Sequence, residues 1–153
     1  SFREAVELSK NYRAQAGVTD PSMQIEIAKL ALALGCLHEA AGHASEVLQP
    51  INSGELNSLE FTRAHTLLGL VALRNDDINE AEFHLLESAN YPVGIRMLNC
   101  GRRDFGLANE LVRLGKVKTV EKYLWSCLKE GRVMRTKLLL DILLLKLGQK
   151  PKL

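Results

Sequence analysis

Residues 64–89 read AHTLLGLVALRNDDINEAEFHLLESA, and this stretch decides the fold of the chain. Its apolar residues recur three or four positions apart on both sides of a polar break at residues 75–77. That spacing places them on one face of an α-helix. Asp77 and Glu80 have the form of a capping box at the start of a second helix. The stretch therefore predicts two amphipathic helices joined by a tight turn, the first covering residues 58–73.

Gly69 lies in the middle of the first of these helices, where glycine costs about 1 kcal/mol relative to alanine. Glycine is favoured at such a position when another part of the backbone passes too close for a side chain. We therefore predict that a neighbouring helix contacts this helix at Gly69.

The pattern around Gly69 resembles a tetratricopeptide repeat, a helical hairpin whose family period is 34 residues. The family places a large residue and then Leu-Gly in the first helix, followed in the second helix by an alanine, a large apolar residue and a small residue. The matching residues here are His65, Leu68, Gly69, Ala81, Leu85 and Ser88. The sequence departs from the family at His65, where an aromatic residue is usual, and at Pro92, which falls about one position early.

Two further units look like looser copies of this hairpin. The first starts at Asp20-Pro21, an acidic N-cap followed by proline in the first turn. Its alignment with the central unit lacks the Leu-Gly pair in register, although Leu34-Gly35 lies 34 residues before Leu68-Gly69, and we interpret it as a divergent repeat. Its second-helix spacing is that of the central unit and is carried by Ala44, Leu48 and Ile51. The second-helix positions of the third unit are Val117, Val120, Leu124 and Cys127.

These units predict an all-α chain. The resemblance implies an α-α superhelix, a right-handed solenoid of about three hairpins with flanking helices, in a single domain over residues 1–153. The predicted elements are repeat units at 21–53, 58–91 and 103–130, a C-terminal helix at 131–148 and an N-terminal helix at 2–16. Because the chain starts at Ser1 without a methionine, it is expected to be a fragment or a processed product. One reading is therefore the regulatory part of a larger protein.

Composition argues against several functional classes. Three cysteines (Cys36, Cys100 and Cys127) at scattered spacings indicate neither a disulfide framework nor a zinc site. His38 and His43 are five residues apart, whereas a helical metalloprotease pair needs a separation of four. No stretch approaches the roughly 20 apolar residues that span a bilayer. We expect no catalytic residue, no metal, no cofactor and no membrane span, and a cytoplasmic location.

Charge is unevenly distributed along the chain. Residues 1–90 carry 6 Lys+Arg and 13 Asp+Glu, whereas residues 91–153 carry 14 and 5, for a net charge of +2. A basic segment of this kind is one signature of nucleic-acid binding. That alternative centres on Arg102, Arg103, Arg113, Lys116, Lys118 and Lys122. It competes with a reading of the same residues as solvated surface charge.

The resemblance also implies a binding surface, because the first helix of each family repeat lines a concave groove that holds a peptide. The family positions carried onto this sequence give Lys29, Arg63, Thr66, Leu70, Leu73, Arg74, Arg102, Phe105, Asn109 and Arg113, with Glu26, Ala33, Cys36, Leu37 and Val112 as further positions. Arginines beside leucines suit an acidic, partly apolar peptide, since guanidinium pairs with carboxylate in a bidentate manner. Alternatively, these arginines are solvated charge. The leading prediction is a non-catalytic scaffold that binds a protein or peptide.

The C-terminal helix is apolar on every side. Seven leucines and Ile142 surround it between residues 138 and 147, and a helix of this kind is usually buried. Three readings stay open. It is covered by a second copy through Leu139, Leu143 and Leu147, by a neighbouring domain, or by the rest of this domain.

Overall fold

The computed structural model of the chain describes Glu4, Glu7 and residues 20–49, 56–92, 95, 104–129, 135–149 and 151. Within these residues the chain forms helices and no β-strand, so the predicted all-α class is confirmed. The helices are α1 (Pro21–Ala33), α2 (Leu37–Leu48), α3 (Ser58–Arg74), α4 (Ile78–Glu87), α5 (Gly106–Arg113), α6 (Val117–Lys129) and α7 (Arg135–Lys146). None of these described helices is long and apolar enough to cross a bilayer. The predicted helix at 2–16 lies, apart from Glu4 and Glu7, outside the described residues.

Side-chain caps mark where three helices begin. The Asp20 carboxylate accepts the Ser22 backbone N–H at 3.0 Å, as the Asp-Pro signal predicted. The Asp77 carboxylate likewise accepts the Glu80 backbone N–H at 3.0 Å. At α3 a complete capping box is present that was not predicted. Asn57 Oδ1 accepts the Glu60 N–H, and the Glu60 carboxylate accepts the Asn57 N–H, both at 3.1 Å.

Four helices end in the same kind of turn. A residue with positive φ follows each of them, and the next backbone N–H donates to the carbonyl five residues back at 2.9 Å. This is the Schellman arrangement, which satisfies carbonyls at the end of a helix. The positive-φ residues are Gly35, Asp76, Gly115 and Gly148. Three of the four turns therefore use the residue that adopts this conformation without strain.

The turns set the internal repeat at about 40 residues. Asp76 follows Gly35 by 41 residues, and Gly115 follows Asp76 by 39. The same offsets relate buried residues at three equivalent positions of α2, α4 and α6. The three sets are Ala40, Ala81 and Val120; Ala44, Leu85 and Leu124; and Val47, Ser88 and Cys127. Leu34-Gly35 is therefore not the counterpart of Leu68-Gly69, because Gly35 lies in a turn whereas Gly69 lies inside α3. The predicted alignment of Ala44 with Ala81 is wrong, since Ala44 corresponds to Leu85.

The helices pack as successive pairs. α1 contacts α2, α3 contacts α4, and α5 contacts α6, while the first helix of each pair also contacts the first helix of the next. One apolar core lies among α1, α2 and α3, and a second extends from the end of α3 through α4, α5, α6 and α7. Leu70 of α3 packs against both cores. α3 therefore joins the two halves of the described structure.

Gly69 faces the buried side chain of Leu107 in α5. A Cβ built on Gly69 would overlap Leu107 Cδ2 and lie 3.1 Å from Cδ1. Leu107 is only 1% exposed, so it has little room to move away. The predicted helix contact at this glycine is confirmed.

α7 has one buried face and one exposed face. Leu138, Ile142 and Leu145 are buried in the second core, and α7 packs on α6. In contrast, Leu139, Leu140, Leu143 and Leu147 are exposed. The reading in which this helix is tucked under its own domain therefore holds for one face only.

We expect Gly69→Ala to lower the free energy of unfolding by about 1–3 kcal/mol, because the added methyl group overpacks the contact with Leu107. The matched control is Gly42→Ala in α2, where a Cβ meets nothing within 4 Å. The control should gain about 0.5–1 kcal/mol from the higher helix propensity of alanine. Urea unfolding measures both changes, and a stabilised Gly69→Ala protein would contradict the close contact.

Candidate binding groove

A groove of about 280 Å³ is lined by residues of the first helices α1 and α3 and by Asp104 just before α5. Four of its lining residues are apolar, namely Leu32, Ala33, Leu67 and Leu70. The other five are polar or charged, namely Lys29, Arg63, Thr66, Arg74 and Asp104. The surface thus combines leucine side chains with three cations and one carboxylate.

The structure brings together part of the predicted groove set. The members that line this groove are Lys29, Ala33, Arg63, Thr66, Leu70 and Arg74. Leu32, Leu67 and Asp104 were missed. Leu32 could have been found from the 41-residue offset between the turns at Gly35 and Asp76. Applied to the predicted positions Leu73 and Arg74, this offset gives Leu32 and Ala33 as their counterparts in α1.

The other predicted positions do not line this groove. Leu73 and Phe105 pack against the second core, where the Phe105 ring contacts Tyr123 edge-on at 6.2 Å between centroids. On α5, Arg113 pairs with Glu110 at 2.7 Å, and Asn109 is half-buried.

Cys36 and Leu37 lie at the α1–α2 turn. Glu26 lies on α1 with its carboxylate on Lys29, Val112 is buried in the second core, and Arg102 lies outside the described residues.

The cations of the groove differ in how far they are neutralised. Lys29 Nζ is 2.7 Å from the Glu26 carboxylate, in a pair between exposed side chains that contributes little to stability. Arg63 and Arg74 form no ion pair with any residue of the described part of the chain. Asp104 Oδ1 accepts the Gly106 N–H at 2.8 Å, so this carboxylate already has a backbone hydrogen-bond partner at the start of α5. Two arginines are thus left to meet an anionic group.

A different face of α3 carries a buried histidine pair against α4. His65 Nδ1 lies 3.0 Å from His84 Nδ1, and the Phe61 ring contacts the His65 ring edge-on at 4.6 Å. Burial lowers the pKa of His65 to about 4, and the neighbouring His84 acts in the same direction. Burial also lowers the pKa of His84, although Glu80, 3.3 Å from His84 Nε2, opposes that shift. The pair is therefore neutral at pH 7, with one ring donating to the other.

Other polar side chains singled out in the sequence have packing partners. His43 Nδ1 lies 2.6 Å from Oε1 of the buried Gln24, which ties α2 to α1. Across the described residues, no group of three or more His, Cys, Asp or Glu side chains is placed to hold a metal ion.

The basic second half of the chain is partly neutralised internally. Lys116 Nζ is 3.1 Å from Glu82, and Arg113 is paired as described above. Tyr123 is 1% exposed, so its ring is not open for stacking on a base, and only Trp125 presents an exposed ring in this region of the described chain. Arg103, like Arg102, lies outside the described residues. Nucleic-acid binding through residues 91–153 stays a prediction from charge alone.

Comparisons of the chain with protein-family models, with curated proteins and with solved structures gave no match. The tetratricopeptide resemblance stays a prediction.

The histidine pair predicts how stability depends on pH. Because the pKa of His65 is lower in the folded protein than its ordinary value of 6.5, the unfolded chain binds more protons below that pH. Stability is therefore full above about pH 6.5 and falls towards pH 4. We expect His65 to account for a loss of about 2 kcal/mol between pH 7 and pH 5.

Urea unfolding at a series of pH values measures this loss. His65→Gln should remove most of the pH dependence in that window. The matched control is His38→Gln, since His38 is exposed near the start of α2. A wild-type stability that is constant between pH 7 and pH 5 would contradict a buried neutral pair.

Proposed function

We propose that this chain is a non-catalytic scaffold that holds an extended segment of a protein partner in the groove between α1 and α3. The observation that carries the proposal is the presence, in one concave surface, of leucines beside the two arginines Arg63 and Arg74, which have no ion pair with a described residue. An apolar concavity with a few polar groups is the usual form of a binding site.

The packing pattern supports a tetratricopeptide-like superhelix as the architecture. The first helices contact each other in succession, α1 with α3 and α3 with α5. Stacked helical pairs that contact only their neighbours create a continuous surface on which an extended ligand can lie. The repeat of about 40 residues is longer than the family period of 34. The additional residues fall in the connections between pairs, since α2 and α4 begin directly after their turns.

The positions of the arginines define the kind of segment that fits. Arg63 and Arg74 are eleven residues apart on α3, which corresponds to about 16 Å along the helix axis. An extended chain advances about 3.3 Å per residue. Side chains of an extended chain alternate between its two faces, so two acids that face α3 together are an even number of positions apart. A segment lying along α3 therefore meets both arginines with acidic residues about four or six positions apart. Apolar side chains between those acids would cover Leu67 and Leu70, so we propose an acidic segment with an apolar centre.

We expect a labelled synthetic peptide with two glutamates about six positions apart, and leucines between them, to bind the chain, as measured by fluorescence anisotropy. Arg63→Glu and Arg74→Glu should each weaken binding roughly ten-fold or more, because each places a carboxylate opposite a ligand carboxylate. The matched control is Arg113→Glu, which reverses an exposed arginine that does not line the groove.

A second peptide with lysines in place of the glutamates separates charge recognition from apolar contact. It should not bind at the concentrations at which the acidic peptide saturates. Equal losses in the groove variants and in Arg113→Glu would place the ligand elsewhere and defeat the proposal.

A further inference from the structure

α7 exposes a ridge of four leucines, Leu139, Leu140, Leu143 and Leu147, which are 47%, 54%, 53% and 65% exposed. At about 100° per residue, their side chains fall within one arc of roughly 100° around the helix. The buried residues Leu138, Ile142 and Leu145 lie on the opposite side. Contiguous exposed apolar surface with a polar rim marks a site of interaction.

Both edges of the leucine ridge end in a lysine. By the same helical geometry, Lys137 borders the arc on one side and Lys146 on the other, and both are exposed. Lys146 Nζ lies 3.4 Å from Glu121 and 5.9 Å from the centre of the Trp125 ring. The acidic residue of α7, Asp141, is 5% exposed and does not face outward with the ridge. Lys137 acts electrostatically on Asp141, so each of the two lysines has an acidic neighbour in the chain. The ridge is thus an apolar strip between two exposed lysines whose charges are partly compensated.

A second copy of the chain fits this ridge poorly. Four half-exposed leucines present on the order of 400 Å² of apolar surface, whereas a stable interface buries about 800 Å² per partner. The described part of α7 contributes no exposed acid that could pair with the lysines of a second copy. By itself the ridge therefore offers a dimer through Leu139, Leu143 and Leu147 less area than a stable interface buries, and no opposite charge on α7.

The shape of the ridge indicates a flat partner. Among the described helices α7 packs on α6 alone, so no second helix stands beside the ridge to form a groove. Leucines that project from a single helix can insert between lipid acyl chains, while lysines at the edges reach phosphate groups along their aliphatic stems. Anionic lipid attracts such lysines, each by about 1 kcal/mol.

We propose that α7 binds the surface of a membrane that contains anionic lipid, with the leucine ridge inserted and Lys137 and Lys146 at the head groups. The helix lies along the membrane surface, because its twelve residues are too few to span a bilayer. This proposal is independent of the groove, since none of the residues that line the groove belongs to α7.

Trp125 provides a reporter at this site. It is the single tryptophan of the chain, the residue is 39% exposed, and it lies beside Lys146. Indole emission moves to shorter wavelength when the ring leaves water. Insertion of the neighbouring leucine ridge should therefore be visible without an added label.

The experiment mixes the chain with vesicles of phosphatidylcholine alone, or of phosphatidylcholine with added phosphatidylserine, and follows Trp125 emission together with vesicle flotation. We expect binding to the anionic vesicles roughly ten-fold or more tighter than to the neutral ones, with a loss in high salt. Leu143→Ser should weaken the binding because it removes apolar surface from the ridge. Lys137→Glu should abolish the preference for anionic lipid.

The matched controls are Leu114→Ser and Lys118→Glu, which change an exposed leucine and an exposed lysine away from α7. Neither control should alter binding. The proposal is overturned if the chain ignores both kinds of vesicle at low salt, or if Leu143→Ser binds like wild type. It is also overturned if light scattering finds a dimer that Leu143→Ser dissolves while vesicles are not bound, since the ridge is then covered by a second copy.

Discussion

The structure depends on the burial of α3 by four other helices. α3 contacts α1, α2, α4 and α5 and contributes residues to both apolar cores. A helix enclosed in this way must carry small residues where neighbours come close, and Ala64, Gly69 and Ala72 meet that need. The same enclosure places Arg63, Thr66, Leu70 and Arg74 beside α1, where the groove forms. The fold and the proposed site are therefore consequences of one helix and its neighbours.

Burial of α3 also encloses polar groups, and these are paired. Thr62 Oγ1 donates to the Ser88 carbonyl at 3.1 Å, and the His65–His84 contact crosses the same α3–α4 boundary. No buried side-chain nitrogen or oxygen of the described residues lacks a hydrogen-bond partner. Paired polar groups inside a core cost little as long as both partners keep their protonation state. Within this network, the His65–His84 contact is the one that is lost when the pH falls, because protonation of both rings removes the acceptor nitrogen.

Two surfaces of the molecule use similar chemistry in different shapes. In the groove, leucines of α1 and α3 lie beside Arg63 and Arg74, and the concavity suits a single chain with acidic residues. On α7, leucines lie between Lys137 and Lys146 on a convex ridge, which suits a flat anionic surface. Arginine fits a pair of carboxylate oxygens, whereas lysine acts as a point charge on a flexible stem. A scaffold with both surfaces would hold a protein segment close to a membrane.

The sequence by itself determined the helical class, the caps at Asp20 and Asp77 and the close contact at Gly69, because each depends on local spacing or on the size of one residue. It also placed several groove residues of α1 and α3. Only the tertiary structure decided the register of the first unit, because the lengths of the connections, and not a fixed period, set which residues face each other across α1 and α3. Only the tertiary structure showed that Leu138 and Leu145 are buried whereas Leu139 and Leu143 are exposed. The side chains are identical, so the sequence does not distinguish a leucine that packs against the core from one that faces water.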